Sequence, residues 1–220
     1  MREPIWDLYL VTDPGSDPDA VPAIVTQAIT GGVTVVQLRD KHATKPQIRQ
    51  RAQALKDAIQ AVTAVSNADP STIPLFINDH VDIAAELGLH AHIGQGDLSY
   101  VAARRQLPAE LMLGLSIETV DQLEHVVETC RTSGVRLPDV VGIGPVRATK
   151  TKPDHATPLG VAGVQRIARM AAAHGMKSVA IGGVDKHIAA ELQQVDGVCV
   201  VSAIMSSPDP AAAAGELRAA

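Results

Sequence analysis

Gln37, Arg39 and Lys41 alternate along one short stretch and bring an amide, a guanidinium and an ammonium group together. They continue Val33-Thr34-Val35-Val36, a β-branched run that reads as a buried strand. Side chains along a strand alternate between its faces, so the three polar groups share a side. If that side is the inner end of a sheet or barrel, unpaired cations are too costly to bury there unless an anion binds. A strand running out into a solvated charged loop accounts for the same residues, and both readings stand at this point.

Two carboxylates are the next candidates. Leu75-Phe76-Ile77 runs into Asn78-Asp79, and His92-Ile93 runs into Gly94-Gln95-Gly96-Asp97. On neighbouring strands Asp79 and Asp97 would reach one rim and supply hard oxygen ligands for Mg²⁺, a substrate phosphate completing the shell. Singly, each Asp also reads as a cap or turn residue. The polar loop Gly144–Asp154 interleaves Thr149, Lys150, Thr151 and Lys152; such groups can wrap a phosphate or stay solvated. Gly182-Gly183 and Val201-Ser202 follow two further β-rich runs. Backbone N–H groups at such places can approach an anion, and a tight turn is the plain alternative for the glycines. His90 and His92 share one strand face, a pattern open to a transition metal, with Asp97 and Asp79 as the nearest completing ligands. Cys130 and Cys199 are too few and too far apart for a disulfide scaffold and read as buried thiols.

The elements that must position these groups alternate throughout. Strands are expected over Leu8–Val11, Val33–Leu38, Leu75–Ile77, Ala91–Ile93, Leu111–Leu115, Val140–Ile143, Ser178–Ile181 and Val198–Val201. Helices are expected over Asp19–Thr30, Lys45–Val65, Val81–Leu87, Ser99–Gln106, Thr119–Ser133, Val161–His174, His187–Gln194 and Pro210–Leu217, with Asp17-Pro18 opening the first. This α/β alternation fits a (β/α)₈ TIM barrel, in which residues at the carboxyl ends of strands build the site. The competing doubly wound sheet expects a Gly-rich first turn, and Thr12-Asp13-Pro14-Gly15 fits that poorly. With 220 residues and no composition break, one catalytic domain over 1–220 is expected. The net charge of −5, with basic residues scattered, gives no footprint for nucleic acid, and no run is apolar enough to span a membrane. A cytoplasmic location follows as the default expectation.

The ordered motifs Gln37-Leu38-Arg39-Asp40-Lys41, Asn78-Asp79, Gly94-Gln95-Gly96-Asp97, Gly114-Leu115-Ser116, Gly144-Pro145 with Thr149-Lys150-Thr151-Lys152, Ile181-Gly182-Gly183-Val184 and Val201-Ser202-Ala203-Ile204 cover nearly the whole chain. As a set they resemble the thiamine-phosphate synthase family. The resemblance implies an Mg²⁺-dependent transferase that joins an aminopyrimidine methyl diphosphate to a thiazole ethyl phosphate, releasing diphosphate. It implies that Gln37, Leu38, Arg39, Asp40, Lys41, Asn78, Ser116 and Lys152 hold the pyrimidine diphosphate, and that Asp79 and Asp97 bind the metal. Thr149, Lys150, Thr151, Gly183, Val201 and Ser202 would then hold the thiazole phosphate, with Arg39, Lys41, Ser116 and Lys152 acting on the reaction itself. It also implies small-molecule substrates and a homodimer. The segment Leu89-His90-Ala91-His92 departs from the family pattern and is one residue shorter, which bears on the register of Asp97. Three alternatives remain: a barrel that isomerises the thiazole phosphate, a non-catalytic phosphate-binding barrel, and a metal-dependent hydrolase built on His90 and His92.

Overall fold

A computed structural model describes residues 4–13, 15–65, 69, 72–149 and 156–220. Eight parallel strands close into a barrel in chain order: β1 (Leu8–Val11), β2 (Val35–Leu38), β3 (Leu75–Asn78), β4 (His90–Ile93), β5 (Leu113–Ile117), β6 (Val140–Ile143), β7 (Lys177–Ile181) and β8 (Gly197–Val200). Helices α1 (Val21–Thr30), α2 (Lys45–Val65), α3 (Val81–Leu87), α4 (Tyr100–Gln106), α5 (Val120–Ser133), α6 (Gly160–Ala173) and α7 (Lys186–Glu191) follow the first seven strands. A short α8 (Ser202–Met205) and then α9 (Pro210–Arg218) follow the last. The expected (β/α)₈ architecture is the one observed.

Period-two alternation divides the strands between two cores. Leu8, Leu10, Val36, Leu38, Ile77, Ala91 and Ile93 belong to the outer layer under the helices, whereas Tyr9, Val11, Val35, Phe76, Val140, Val179 and Cys199 fill the lumen. Strands buried on both faces read as the near-continuous apolar runs seen in the sequence. The helices cover them with narrow stripes: in α2 the buried residues are Ile48, Ala52, Leu55, Ile59 and Thr63, at helical spacing. Helix ends are sealed locally. Thr119 Oγ1 accepts from the Gln122 N–H at the start of α5, and Asp185 accepts from the His187 and Ile188 N–H groups at the start of α7.

Boundaries differ from expectation at places with a local cause. α1 begins at Val21, not Asp19, because the Asp17 carboxylate accepts the Asp19 N–H and holds a turn, leaving Pro22 in the first helical turn. β2 begins at Val35 because the Thr34 hydroxyl bonds both backbone groups of Leu8. β5 begins at Leu113, where the backbone N–H meets the Asp139 carboxylate at 2.7 Å. α8 starts within what reads as the end of the last strand and its loop. Among the described residues no helix is long and apolar enough to cross a membrane.

Candidate active site

The carboxyl ends of the strands surround a cavity of about 210 Å³. Gln37, Arg39 and Lys41 all line it, as strand alternation requires. Gln37 is 4% exposed, and its Nε2 donates to the Tyr9 hydroxyl at 2.8 Å. Arg39 is anchored by Thr12: its N–H donates to Thr12 Oγ1 at 2.9 Å, and that hydroxyl donates back to the Arg39 carbonyl at 3.2 Å. The side chains between them point elsewhere. Leu38 lies in the outer core, and the Asp40 carboxylate accepts the N–H groups of His42 and Ala43 and pairs with Arg51 of α2. Neither side chain lines the cavity. Alternation turns them away, and Asp40 braces the loop after β2.

Asp79 and Asp97 do meet at the rim. Lys41 Nζ lies 3.3 Å from Asp79 Oδ2, and Asp97 Oδ2 accepts the Gly94 N–H at 2.7 Å. The two carboxyl groups are within hydrogen-bonding reach of each other. Burial raises the Asp79 pKa, and the neighbouring Asp97 raises it further against the pull of Lys41. At Asp97 burial pushes upward too, but the Asp79 hydrogen bond, the Gly94 N–H and Lys41 outweigh it, and the pKa falls. Two carboxyls placed so closely share a proton, and a divalent cation can take the place of that proton. The turn or cap reading is half right for Asp97, which closes its own turn onto Gly94. It is wrong for Asp79, since the helix that follows is preceded by His80 and has no side-chain cap. The shorter segment before β4 leaves this register intact, because Asn78 pairs with His92 across the β3–β4 ladder.

The donor set fits Mg²⁺ better than zinc. Among the described residues no three His, Cys, Asp or Glu side chains converge, so the two carboxylates need substrate oxygens or water to complete a shell, as Mg²⁺ commonly does. Among the described residues no third ligand joins the two imidazoles, and each already has one ring nitrogen engaged. His90 Nδ1 accepts the Met112 N–H at 3.0 Å, and its ring packs on Phe76 with centroids 5.1 Å apart. His92, one step nearer the mouth, lines the cavity with Nε2 3.0 Å from Ser116 Oγ. Burial alone pushes both imidazole pKa values down to about 4, with only a weak opposing pull on His92 from Asp97.

The far side of the mouth carries hydroxyl and backbone groups of a kind that can hold a smaller anion. Thr149, Gly183, Val201 and Ser202 line the same cavity. Gly183 has φ +68°, a conformation that favours glycine, and a Cβ there would press on Arg147. Ser202 opens α8, where the first N–H groups have no helical carbonyl to bond. Lys150, Thr151 and Lys152 lie outside the described residues. Asn78 and Ser116 complete the lining, so the remaining expected residues share one cavity. Cys199 sits on its floor, where burial pushes the thiol pKa far up and leaves it a poor nucleophile. Sequence reasoning missed Tyr9 and Thr12, which orient Gln37 and Arg39. Both lie in or just after β1, and extending the strand-end argument to that first strand would have found them.

The thiamine monophosphate synthase family model matches residues 8–204. Over 216 residues the chain is 56% identical to the thiamine biosynthesis multifunctional protein ThiED of Corynebacterium efficiens, covering 96% of this chain and 28% of that protein's length. The chain thus spans little more than a quarter of that relative. It is also 43% identical over 211 residues to a thiamine-phosphate synthase of Psychrobacter sp., covering 94% of this chain and 91% of the relative. Among solved structures it is similar to the thiamine phosphate pyrophosphorylase of Pyrococcus furiosus, with a TM-score of 0.75, 28% identity and coverage of 97% and 94%.

Proposed function

We propose, from the premise that the chain belongs to the thiamine monophosphate synthase family, that it couples an aminopyrimidine methyl diphosphate to a thiazole ethyl phosphate, giving thiamine phosphate and diphosphate. The observation that supports this is one cavity lined by Arg39, Lys41, Asp79 and Asp97 on one side and by Thr149, Gly183 and Ser202 on the other, which gives a diphosphate with its metal and a second phosphate separate places. A barrel that only rearranged the thiazole phosphate would need the second rim alone.

In this reading the pyrimidine diphosphate lies against Gln37, Arg39, Lys41, Asn78 and Ser116, and the thiazole phosphate against Thr149, Gly183, Val201 and Ser202. Asp79 and Asp97 would hold Mg²⁺, which when bound neutralises charge on the departing diphosphate. The methylene carbon–oxygen bond breaks with its electron pair going to diphosphate, and Arg39 and Lys41 stabilise the charge that develops there. The electron-rich ring supports the resulting benzylic-type cation, and the thiazole nitrogen closes the new carbon–nitrogen bond with its own lone pair. No proton need be removed from that nitrogen, so the coupling step calls for no general base. Holding both rings in one enclosure removes the entropy of bringing them together. Lys150, Thr151 and Lys152 belong to this proposal as further phosphate ligands, Lys152 on the leaving diphosphate. One catalytic domain, a cytoplasmic location and a homodimer complete it, the last because closed symmetric dimers are the commonest assemblies. Incubating the purified protein with both precursors and Mg²⁺ tests the central claim: diphosphate and thiamine phosphate should appear together, and the absence of both would overturn it.

A further inference from the structure

We propose that His92 is a positioning residue that fixes the Ser116 hydroxyl as a hydrogen-bond donor to a ring nitrogen of the pyrimidine, a reading that rests on the function proposed above. The imidazole is 7% exposed and occupies lumen space that two glycines vacate. A Cβ on Gly114 would overlap Nδ1, and one on Gly142 would just reach contact with Cε1. In this lodging Nε2 lies 3.0 Å from Ser116 Oγ, while Nδ1 is buried with no hydrogen-bond partner.

A neutral imidazole carries a single N–H. On Nδ1 that proton would be a buried donor with no acceptor, and orphaned buried N–H groups are rarer than under-used acceptors. Placed on Nε2 it meets the serine oxygen. Ser116 Oγ therefore accepts from His92, and its own proton turns to the cavity that it lines. The hydroxyl, which could otherwise rotate to suit any ligand, becomes a donor by default.

Depth in the barrel selects the acceptor. Ser116 and Gln37 lie within β5 and β2, whereas Lys41, Asp79 and Asp97 follow the strand ends. A ligand whose phosphates stay among the rim charges puts its heterocycle at the level of Ser116. Gln37 is polarised the opposite way: Nε2 is spent on Tyr9, so Oε1 is left for an exocyclic amine. A donor on one wall and an acceptor on another match the ring nitrogen and amine of an aminopyrimidine.

A double-mutant cycle tests this through kcat/KM for diphosphate release. His92→Leu should cost about 30-fold in the wild-type background but no more than about 3-fold in Ser116→Ala, because the histidine acts through the serine. Additive losses would overturn the proposal. His92→Gln, whose amide N–H can reach the same hydroxyl, should recover most of the lost activity; it also keeps the test usable if the leucine variant folds poorly. As a second readout, pyridine analogues lacking one or the other ring nitrogen are bound without the thiazole phosphate. One of them should bind wild type about 10-fold more weakly than the parent, and Ser116→Ala should bind both alike. Equal binding of every analogue to wild type would count against a ring-nitrogen contact. Wild type that releases no diphosphate at all would instead sink the functional reading beneath the proposal.

Discussion

The two ends of the barrel lumen use the same strands for opposite purposes. At the floor, the only Trp, the only Phe and one of the two Tyr residues, Trp6, Phe76 and Tyr9, pack with ring centroids 5.6–6.3 Å apart, and His90 lies against Phe76. At the mouth the inward residues are Gln37, Asn78, His92 and Ser116, with charged groups just beyond. A step of two residues along one strand, roughly 6.6 Å, passes from one regime to the other. His90 and His92 condense the contrast: the first is a ring packed at a tilt on Phe76 with its Nδ1 satisfied, the second a lodged ring with an orphaned nitrogen. The floor is a stability device made of ring contacts, and the mouth is a set of polar groups whose partners are left to a ligand.

Substitutions at the two ends should therefore separate turnover from stability. Asp97→Asn keeps an oxygen for the Gly94 N–H but removes a charge from the proposed metal pair. Turnover should drop on the order of 10³-fold with the melting temperature nearly unchanged; a variant with normal turnover would erase the role of the mouth carboxylates. Phe76→Ala should do the reverse, costing about 3–5 kcal/mol of unfolding free energy in denaturant titration while each folded molecule keeps its turnover.

A pH series sharpens the contrast by a smaller amount. The folded-state pKa of His92 lies at about 4 through burial, below the ordinary 6.5 of the unfolded chain. Between those values the unfolded chain binds a proton that the folded one refuses. Stability is thus fully present above pH 6.5 and is lost as pH falls toward 4, by roughly 3 kcal/mol for this residue. His92→Gln should flatten that slope in urea titrations, and an unchanged slope would place the proton uptake elsewhere. The smallest effect is expected at Asp40→Ala, which removes the acceptor of two N–H groups and the Arg51 pair. It should destabilise by about 1–2 kcal/mol in the same titrations and leave kcat/KM near normal.

Much of the mouth could be read from the sequence because alternation is a local rule. The run from Val35 to Lys41 announces which side chains point together, and Asp79 and Asp97 follow strands that chain order makes neighbours. The lodging of His92 could not be read this way. It depends on Gly114 and Gly142, which reach the ring from two other strands, and no periodicity links residues 92, 114 and 142. The brace formed by Asp40 was equally hidden, because its partner Arg51 is supplied by a helix whose rotation about its axis is set by packing. The short α8 escaped notice because four residues carry too little pattern to separate from a loop.

Asp79 adopts φ +64°, and among the described residues no other non-glycine side chain has a positive φ. That conformation costs an L-residue roughly 1–2 kcal/mol, and the same carboxylate is pressed against Asp97. Glycine here would relieve both strains, so the exchange that hardens the protein is also the one that strips a proposed metal ligand. A laboratory screen of random variants for heat resistance alone should return glycine at position 79, and those survivors should be inactive. The same screen run with a requirement for thiamine phosphate should never return it. At this position endurance and use would select different residues, which makes Asp79 a place to read what the chain has been kept for.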